Sequence, residues 1–340
     1  MTCHSHSHAR SDDPGDVIAT LVYQLGFHPS ESLIVVARDS NSQNNLMGIR
    51  TDLPTTTNHR PAIQALLTPL LNATSIEVTV LVVAGLDNGR LPARALVEEC
   101  RAVFAAAGVP IRHAFWSAAT TPGARWRSYD DAAHCGTVPD LATSALAAYS
   151  VLAGQVMHSS REDLAATLAP DPDDVLVRRA AVLESLDTAR LLDRNDPYQR
   201  FMEVGEAVRT ACDGRLPTSD EAAMRLVLAL RDHAVRDACL SYADGELHDG
   251  AEQLWRYLVR VTPGADRAEP AVLLAVTAYV NSDGVGAGIA LEMAGAADPK
   301  HRLAELIGEM LTCGTSPDRF RLALGGAVSA AVDHVMTFRP

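Results

Sequence analysis

The side chains able to do chemistry in this 340-residue sequence gather in four short stretches. In "GFHPSES", Gly26–Ser32, His28 sits on a turn between an apolar helical run and a run of core residues. An imidazole titrates near neutral pH, so His28 is placed to carry a proton. The simpler reading is a turn made by Gly26 and Pro29 that ends the helix, with His28 bonded to a backbone carbonyl. In "AGLDNGRLP", Gly85, Asn88 and Gly89 allow a compact loop after a strand, and Arg90 or Arg94 would hold an anion. Open α/β sheets collect ligands beyond the carboxyl ends of their strands, where a following helix offers free amides. No full G-x-G-x-x-G accompanies the loop, so an ordinary strand-to-helix connection competes with that reading.

The third stretch, "RWRSYDD", concentrates Arg125, Trp126, Arg127, Tyr129, Asp130 and Asp131 in a chain with 5% aromatic residues. It reads either as a stacking or anion-recognition edge, or as an edge strand whose arginines pair with the aspartates. The fourth is the tail "TCHSHSH". Removal of Met1 would leave His4 third behind a free amine, an arrangement suited to square-planar Cu(II) or Ni(II). Such a tail binds these metals without that being its task, so no metal site and no cofactor is assigned. The candidate ligand-binding residues are His28, Arg90, Arg125, Trp126, Arg127 and Tyr129; none is assigned as catalytic.

Other chemistries are excluded by residue type. Of 29 basic residues 28 are arginine, and the one lysine, Lys300, reads as part of an inter-helix turn. Phosphate loops ending in Gly-Lys-Ser/Thr and Schiff-base chemistry both need a placed lysine. No G-x-S-x-G elbow and no H-E-x-x-H helix occurs. The formal net charge of −13 divides as −3 over residues 1–150 and −10 over the rest, with no basic stripe. Nucleic acid and an anionic membrane surface are therefore not expected partners. The longest apolar runs fall short of the roughly 20 residues of a membrane span. No secretory signal is evident, and six scattered cysteines without a C-x-x-C pair suit reduced, mostly packed thiols. The expectation is a cytoplasmic protein.

The elements that would position these residues follow from periodicity. A helix is predicted over residues 15–27, then strands "SLIVVARD" and "LMGIRTDLP". A helix interrupted near Pro69 follows, then the strand "IEVTVLVVAG", a helix with Pro92 near its first turn, and the strand "IRHAFWSA". This predicts a mixed α/β sheet of four or five strands, with "RWRSY" at an edge. From about Pro139 the strand signal stops. "DLATSALAAYSVLAGQV" reads as helical; Ser160-x-x-Asp163 and Thr218-x-x-Glu221 read as capping boxes, "PDPDD" at 170–174 as a linker, and 174–191, 197–212 and 219–243 as helices. A weak repeat at an offset of 36 matches Ala251, Trp255, Leu258 and Pro263 with Ala287, Leu291, Ala294 and Pro299, a spacing like the second helix of a tetratricopeptide (TPR) repeat. The expected organisation is a flexible His-rich tail at 1–14, an α/β domain at 15–158 and an all-α, TPR-like helical region at 159–340.

The stretches "LGFHPSESLIVVA", "IRTDLP", "RWRSYDD", "SALAAYSVLAGQVMHSSREDLAATLAP" and "LLAVTAYVNSDGVGAGIALEMAGAADPKHRLAELI" together resemble domain-of-unknown-function family 4192. The resemblance implies an intracellular actinobacterial protein from a family without an assigned biochemical role. Members often carry a Cys-Cys-Pro segment after the Arg-Trp stretch, where "HCGTVPD" keeps only Cys135; any metal or redox task of those cysteines would be lost here. The functional expectation is a non-enzymatic interaction or regulatory module that meets a protein partner through its helical region. The alternative is small anionic-ligand binding, or enzymatic activity, in the α/β domain.

Overall fold

Two runs rich in β-branched residues, Ser32–Asp39 (β1) and Ile76–Val83 (β3), form the centre of a sheet in the computed structural model. The structure describes residues 13–39, 46–54, 59–71, 76–86, 90–142, 156–190 and 197–339. Leu46–Asp52 (β2), Ile111–Ser117 (β4), Arg125–Ser128 (β5) and Cys135–Thr137 (β6) complete a six-stranded sheet in the order β2-β1-β3-β4-β5-β6. β3 and β4 are parallel and every other neighbouring pair is antiparallel, so the sheet is mixed. The sixth strand was not legible: three residues, "CGT", are too few to show alternation. Because β6 pairs with β5, "RWRS" is an interior strand and not the edge.

Alternation along the strands divides two buried layers. Leu33, Val35, Val80, Val82 and Trp116 share one cluster with Ile63 and Leu66 of helix α2 (Arg60–Leu67) and Val97 and Phe104 of helix α3 (Arg94–Ala106). Ile34, Val36 and Phe115 fall between them in sequence and are buried outside that cluster. Helix α1 (Pro14–Leu25) approaches β2 closely, since a Cβ at Gly48 would lie 2.5 Å from Leu21 Cδ1. The Asp13 carboxylate accepts from Gly15 N–H at 2.7 Å to start α1. Gly26, at φ 74°, ends it in the left-handed conformation that glycine adopts without penalty. A short 3₁₀ turn, Thr68–Leu70, follows α2 where Pro69 stops the ladder. Pro92 precedes α3 instead of entering its first turn: Ala93 is the N-cap, and the Pro92 carbonyl is held by the Tyr129 hydroxyl at 2.7 Å.

The chain divides into two compact units, Met1–Leu164 and Ala165–Pro340. Helix α4 (Arg161–Ala166) is capped by Ser160, whose hydroxyl accepts from Asp163 N–H at 3.0 Å, as its box predicts. The second unit is helical: α5 (Asp173–Arg190), α6 (Pro197–Cys212), α7 (Asp220–Leu230), α8 (His233–Cys239), α9 (His248–Val261), α10 (Ala268–Val280), α11 (Gly284–Ala297), α12 (Arg302–Thr312) and α13 (Pro317–Met336). Helix α10 is apolar almost all round and correspondingly buried.

Three expectations are corrected here. The helix expected over 219–243 breaks after Leu230, because Asp232 caps a new one by accepting from Ala234 N–H at 3.1 Å. The α7 cap is Ser219, which accepts from Ala222 N–H at 3.1 Å, one residue beyond Thr218. "PDPDD" is tied down and is not a free linker. Asp171 N–H donates to the Arg260 carbonyl at 2.9 Å, and its carboxylate takes Arg179 at 2.7 Å. The repeat coincides with element boundaries: α9 and α11 start and stop at the same offset of 36 residues, and α10 packs between them. Ala251, Trp255, Leu258, Ala287 and Ala294 are buried, as a TPR-like pairing needs, while Leu291 is half-buried. The arrangement is compatible with a TPR-like array.

Candidate functional site

Three segments distant in sequence meet at one end of the sheet. Ser32, which opens β1, is paired with Asp52 at the end of β2 and with Val83 at the end of β3. This is the end to which the carboxyl termini of the parallel pair β3 and β4 point, the usual position of a ligand crevice in an α/β sheet. The turn after Gly26 brings Phe27 into a bridge with His158: His158 N–H donates to Gly26 O at 2.9 Å and His28 N–H to His158 O at 3.2 Å. The bridge carries Ser160, Arg161 and Glu162 to the same place.

A cavity of about 260 Å³ opens there. Phe27, His28, Ser30 and Glu31 line it from the turn, Arg50, Asp52 and Leu53 from the end of β2, and Ser160, Arg161 and Glu162 from the start of α4. Arg50 is fixed on three sides. Its Nε donates to Ser32 Oγ at 2.9 Å, its Nη2 meets Asp52 Oδ1 at 2.5 Å, and its guanidinium lies 5.9 Å from the Phe27 ring centroid. Ser32 Oγ in turn donates to the Ser30 carbonyl at 2.6 Å, so the serine relays the arginine to the turn. Glu31 adopts φ 38°, a left-handed conformation costly for a residue with a side chain. Two bonds hold it there: its carbonyl accepts from Leu53 N–H at 2.8 Å and its carboxylate from Gly85 N–H at 3.3 Å.

The electrostatics are mixed. Burial pushes the His28 imidazole below its ordinary 6.5, so the ring is neutral at neutral pH. Its Nδ1 lies 3.1 Å from Thr120 Oγ1. The Glu162 carboxyl is held below the usual range, chiefly by its own backbone N–H and then by the Ser160 hydroxyl, with Arg50 and Arg161 adding to the effect. Two guanidinium groups and three carboxylates thus border one small space, which suits a small polar ligand bearing both signs of charge.

Of the sequence-predicted candidates, His28 lines this cavity and the others do not. Arg90 is exposed beside residues outside the described set. Period-two alternation along β5 separates Arg125 and Arg127, which are exposed, from Trp126, which is buried, while Tyr129 lies just past the strand end and is buried as well. Trp126 packs edge-on against Phe115 and His134, at centroid distances of 5.7 Å and 5.2 Å. Tyr129 belongs to the cluster with α2 and α3, and Arg94 lies over its ring at 5.7 Å. Asp130 pairs with Arg101 of α3 at 2.5 Å and not with its neighbouring arginines. The histidine tail lies outside the described residues, and no group of metal-binding side chains occurs among those described.

The lining residues missed by motif reasoning are Arg50, Glu31, Asp52, Arg161 and Glu162. A signal for them existed: "GFHPSES", "IRTDLP" and "HSSRED" lie within the stretches that carry the family resemblance, and together they supply the whole lining.

Fold and cavity define a mixed-sheet α/β unit with a crevice at its strand ends, followed in the chain by a helical unit. A family model described as "Domain of unknown function (DUF4192)" matches residues 14–318, and the chain belongs to that family. No curated protein and no solved structure matches it.

Proposed function

We propose that the protein is a non-enzymatic binding module whose α/β unit takes a small polar ligand in the His28–Arg50–Glu162 cavity. The observation that carries this reading is the convergence of three distant segments on one cavity of about 260 Å³, the size of a small metabolite, bordered by both signs of charge. The ligand class is narrower than a simple anion: Glu31, Asp52 and Glu162 would repel an anion that offers no cationic group, so an amino-acid-like zwitterion fits best. Binding without turnover accords with Arg50 being already fixed by Ser32 and Asp52.

The 36-residue recurrence of α9 and α11 favours a second role, a protein partner met through the helical unit. A cytoplasmic protein of actinobacterial origin accords with the arginine-for-lysine usage and with five free cysteines among the described residues. None of the described helices is long and apolar enough to cross a membrane.

The test is thermal unfolding of the full chain against amino acids, dicarboxylates and inorganic phosphate. A ligand at a hundredfold excess over its Kd stabilises by about 2.7 kcal/mol. The expected result is a shift with a zwitterion that Arg161→Ala and Glu162→Ala abolish. Equal shifts in wild type and both variants would overturn the assignment of the cavity.

A further inference from the structure

Helix α13 is sparsely covered along its length. Of its 20 residues only Phe320 and Val335 are buried. On the side opposite them lie Arg319, Leu322, Gly326, Ala330 and Asp333, spaced by three or four residues and all exposed. Leu322 is the most exposed large apolar side chain among the described residues, at 83%. A Cβ on Gly326 would meet nothing within 4 Å, so no packing inside the chain calls for a glycine there. Glycine in mid-helix weakens the helix relative to alanine, and its use on an open face suits close approach of a second backbone.

The charges say which backbone. Arg319 and Asp333 have no side-chain ion pair or hydrogen bond among the described residues. They stand seven residues to either side of Gly326. A two-fold axis through Gly326 therefore sets Arg319 against Asp333 of a second antiparallel copy, twice over, with Leu322 against Ala330. A parallel pairing would oppose Arg319 to Arg319. An isologous contact needs a surface complementary to itself, and this face has that property in both charge and size.

We propose that this face of α13 is a homodimer contact, two α13 helices packing antiparallel across Gly326. It goes beyond both functional readings, since it requires neither a ligand in the cavity nor a foreign partner. It also lies past the family match, which ends at residue 318. One helix pair is small for an interface, so the dimer is of the weak, concentration-dependent class.

The experiment is sedimentation equilibrium of the full chain over a concentration series, for wild type, Arg319→Asp, Asp333→Arg, the double variant and Gly326→Leu. All these positions are exposed, and circular dichroism checks that each variant keeps its helix content. Wild type should move from the 36.2 kDa monomer towards twice that mass. Each single charge reversal and Gly326→Leu should weaken association by tenfold or more, and the double reversal should restore it. A wild type that stays monomeric overturns the proposal. So does a dimer that the single variants leave intact, or a folded double variant that stays monomeric.

Discussion

The imidazole of His28 and the hydroxyl of Thr120, 92 residues apart, meet at 3.1 Å and join the turn before β1 to the segment after β4. The ring is held neutral by burial, with its pKa below the unfolded value of 6.5. Between the folded and unfolded values the unfolded chain binds more protons, so this group's contribution is full above pH 6.5 and is lost as pH falls below it. Urea unfolding at pH 7.5 and 5.5 should therefore show a drop in midpoint that His28→Asn reduces. An identical drop in the variant would place the acid sensitivity elsewhere.

Trp126 separates the two readings of "RWRSYDD". At 3% exposure, against Phe115 and His134 and with Gly136 too close for a Cβ, it belongs to the core beneath α1. Trp126→Ala should cost about 3–5 kcal/mol in urea unfolding, the range for emptying an aromatic site. Arg125→Ala and Arg127→Ala should each stay within about 0.5 kcal/mol. A Trp126→Ala variant as stable as wild type would return the residue to the surface.

These particulars show what was legible. Strands β1 and β3 announced themselves because a buried strand has no polar face, and Gly26 because only a glycine relaxes there. The sixth strand was too short to carry a period. The candidate site was legible at His28 alone, since a motif search rewards dense local clusters. The cavity is built instead from single residues of three segments, joined by the Phe27–His158 bridge that no local pattern encodes.

The cap of α7 is a sharper case. Thr218 precedes Glu221 at the spacing of a capping box and Ser219 is followed at that spacing by Ala222, yet the structure selects Ser219 by its bond to Ala222 N–H. Ser219→Ala should cost about 1 kcal/mol, the usual loss for a helix cap, and Thr218→Ala under about 0.5 kcal/mol. Thermal unfolding that ranked the two the other way would shift the helix start by one residue.

The acidic segment at 170–174 owes its order to arginines. Arg179 spans Asp171 at 2.7 Å and Asp220 at 2.8 Å, joining that segment to the start of α7. Arg179→Ala removes two charge-assisted bonds from a buried guanidinium and should destabilise by about 2–4 kcal/mol. Limited proteolysis should then cut within 170–174 in the variant and not in wild type. Resistance of both would mean that packing of α5, and not the ion pairs, holds the segment.

Cysteine reactivity tests the packing of both units at once. Scattered thiols in a sequence of this composition suggest small apolar core residues, and Cys100 and Cys239 fit that description. Burial pushes the Cys100 thiol up to about 12, with Glu99 beside it adding to the effect, and raises Cys239 as well. A thiolate is the reactive species, so both sites are doubly protected, by access and by protonation. Cys135, Cys212 and Cys313 are exposed and lack the first protection. Alkylation of the native protein at pH 8, read by peptide mass spectrometry, should label those three first. Cys100 and Cys239 should lag by at least a hundredfold and react only once urea opens the fold. Early labelling of Cys100 would mean that α3 lifts from the sheet without global unfolding, and early labelling of Cys239 the same for α8, so the assay reports local opening in each unit separately.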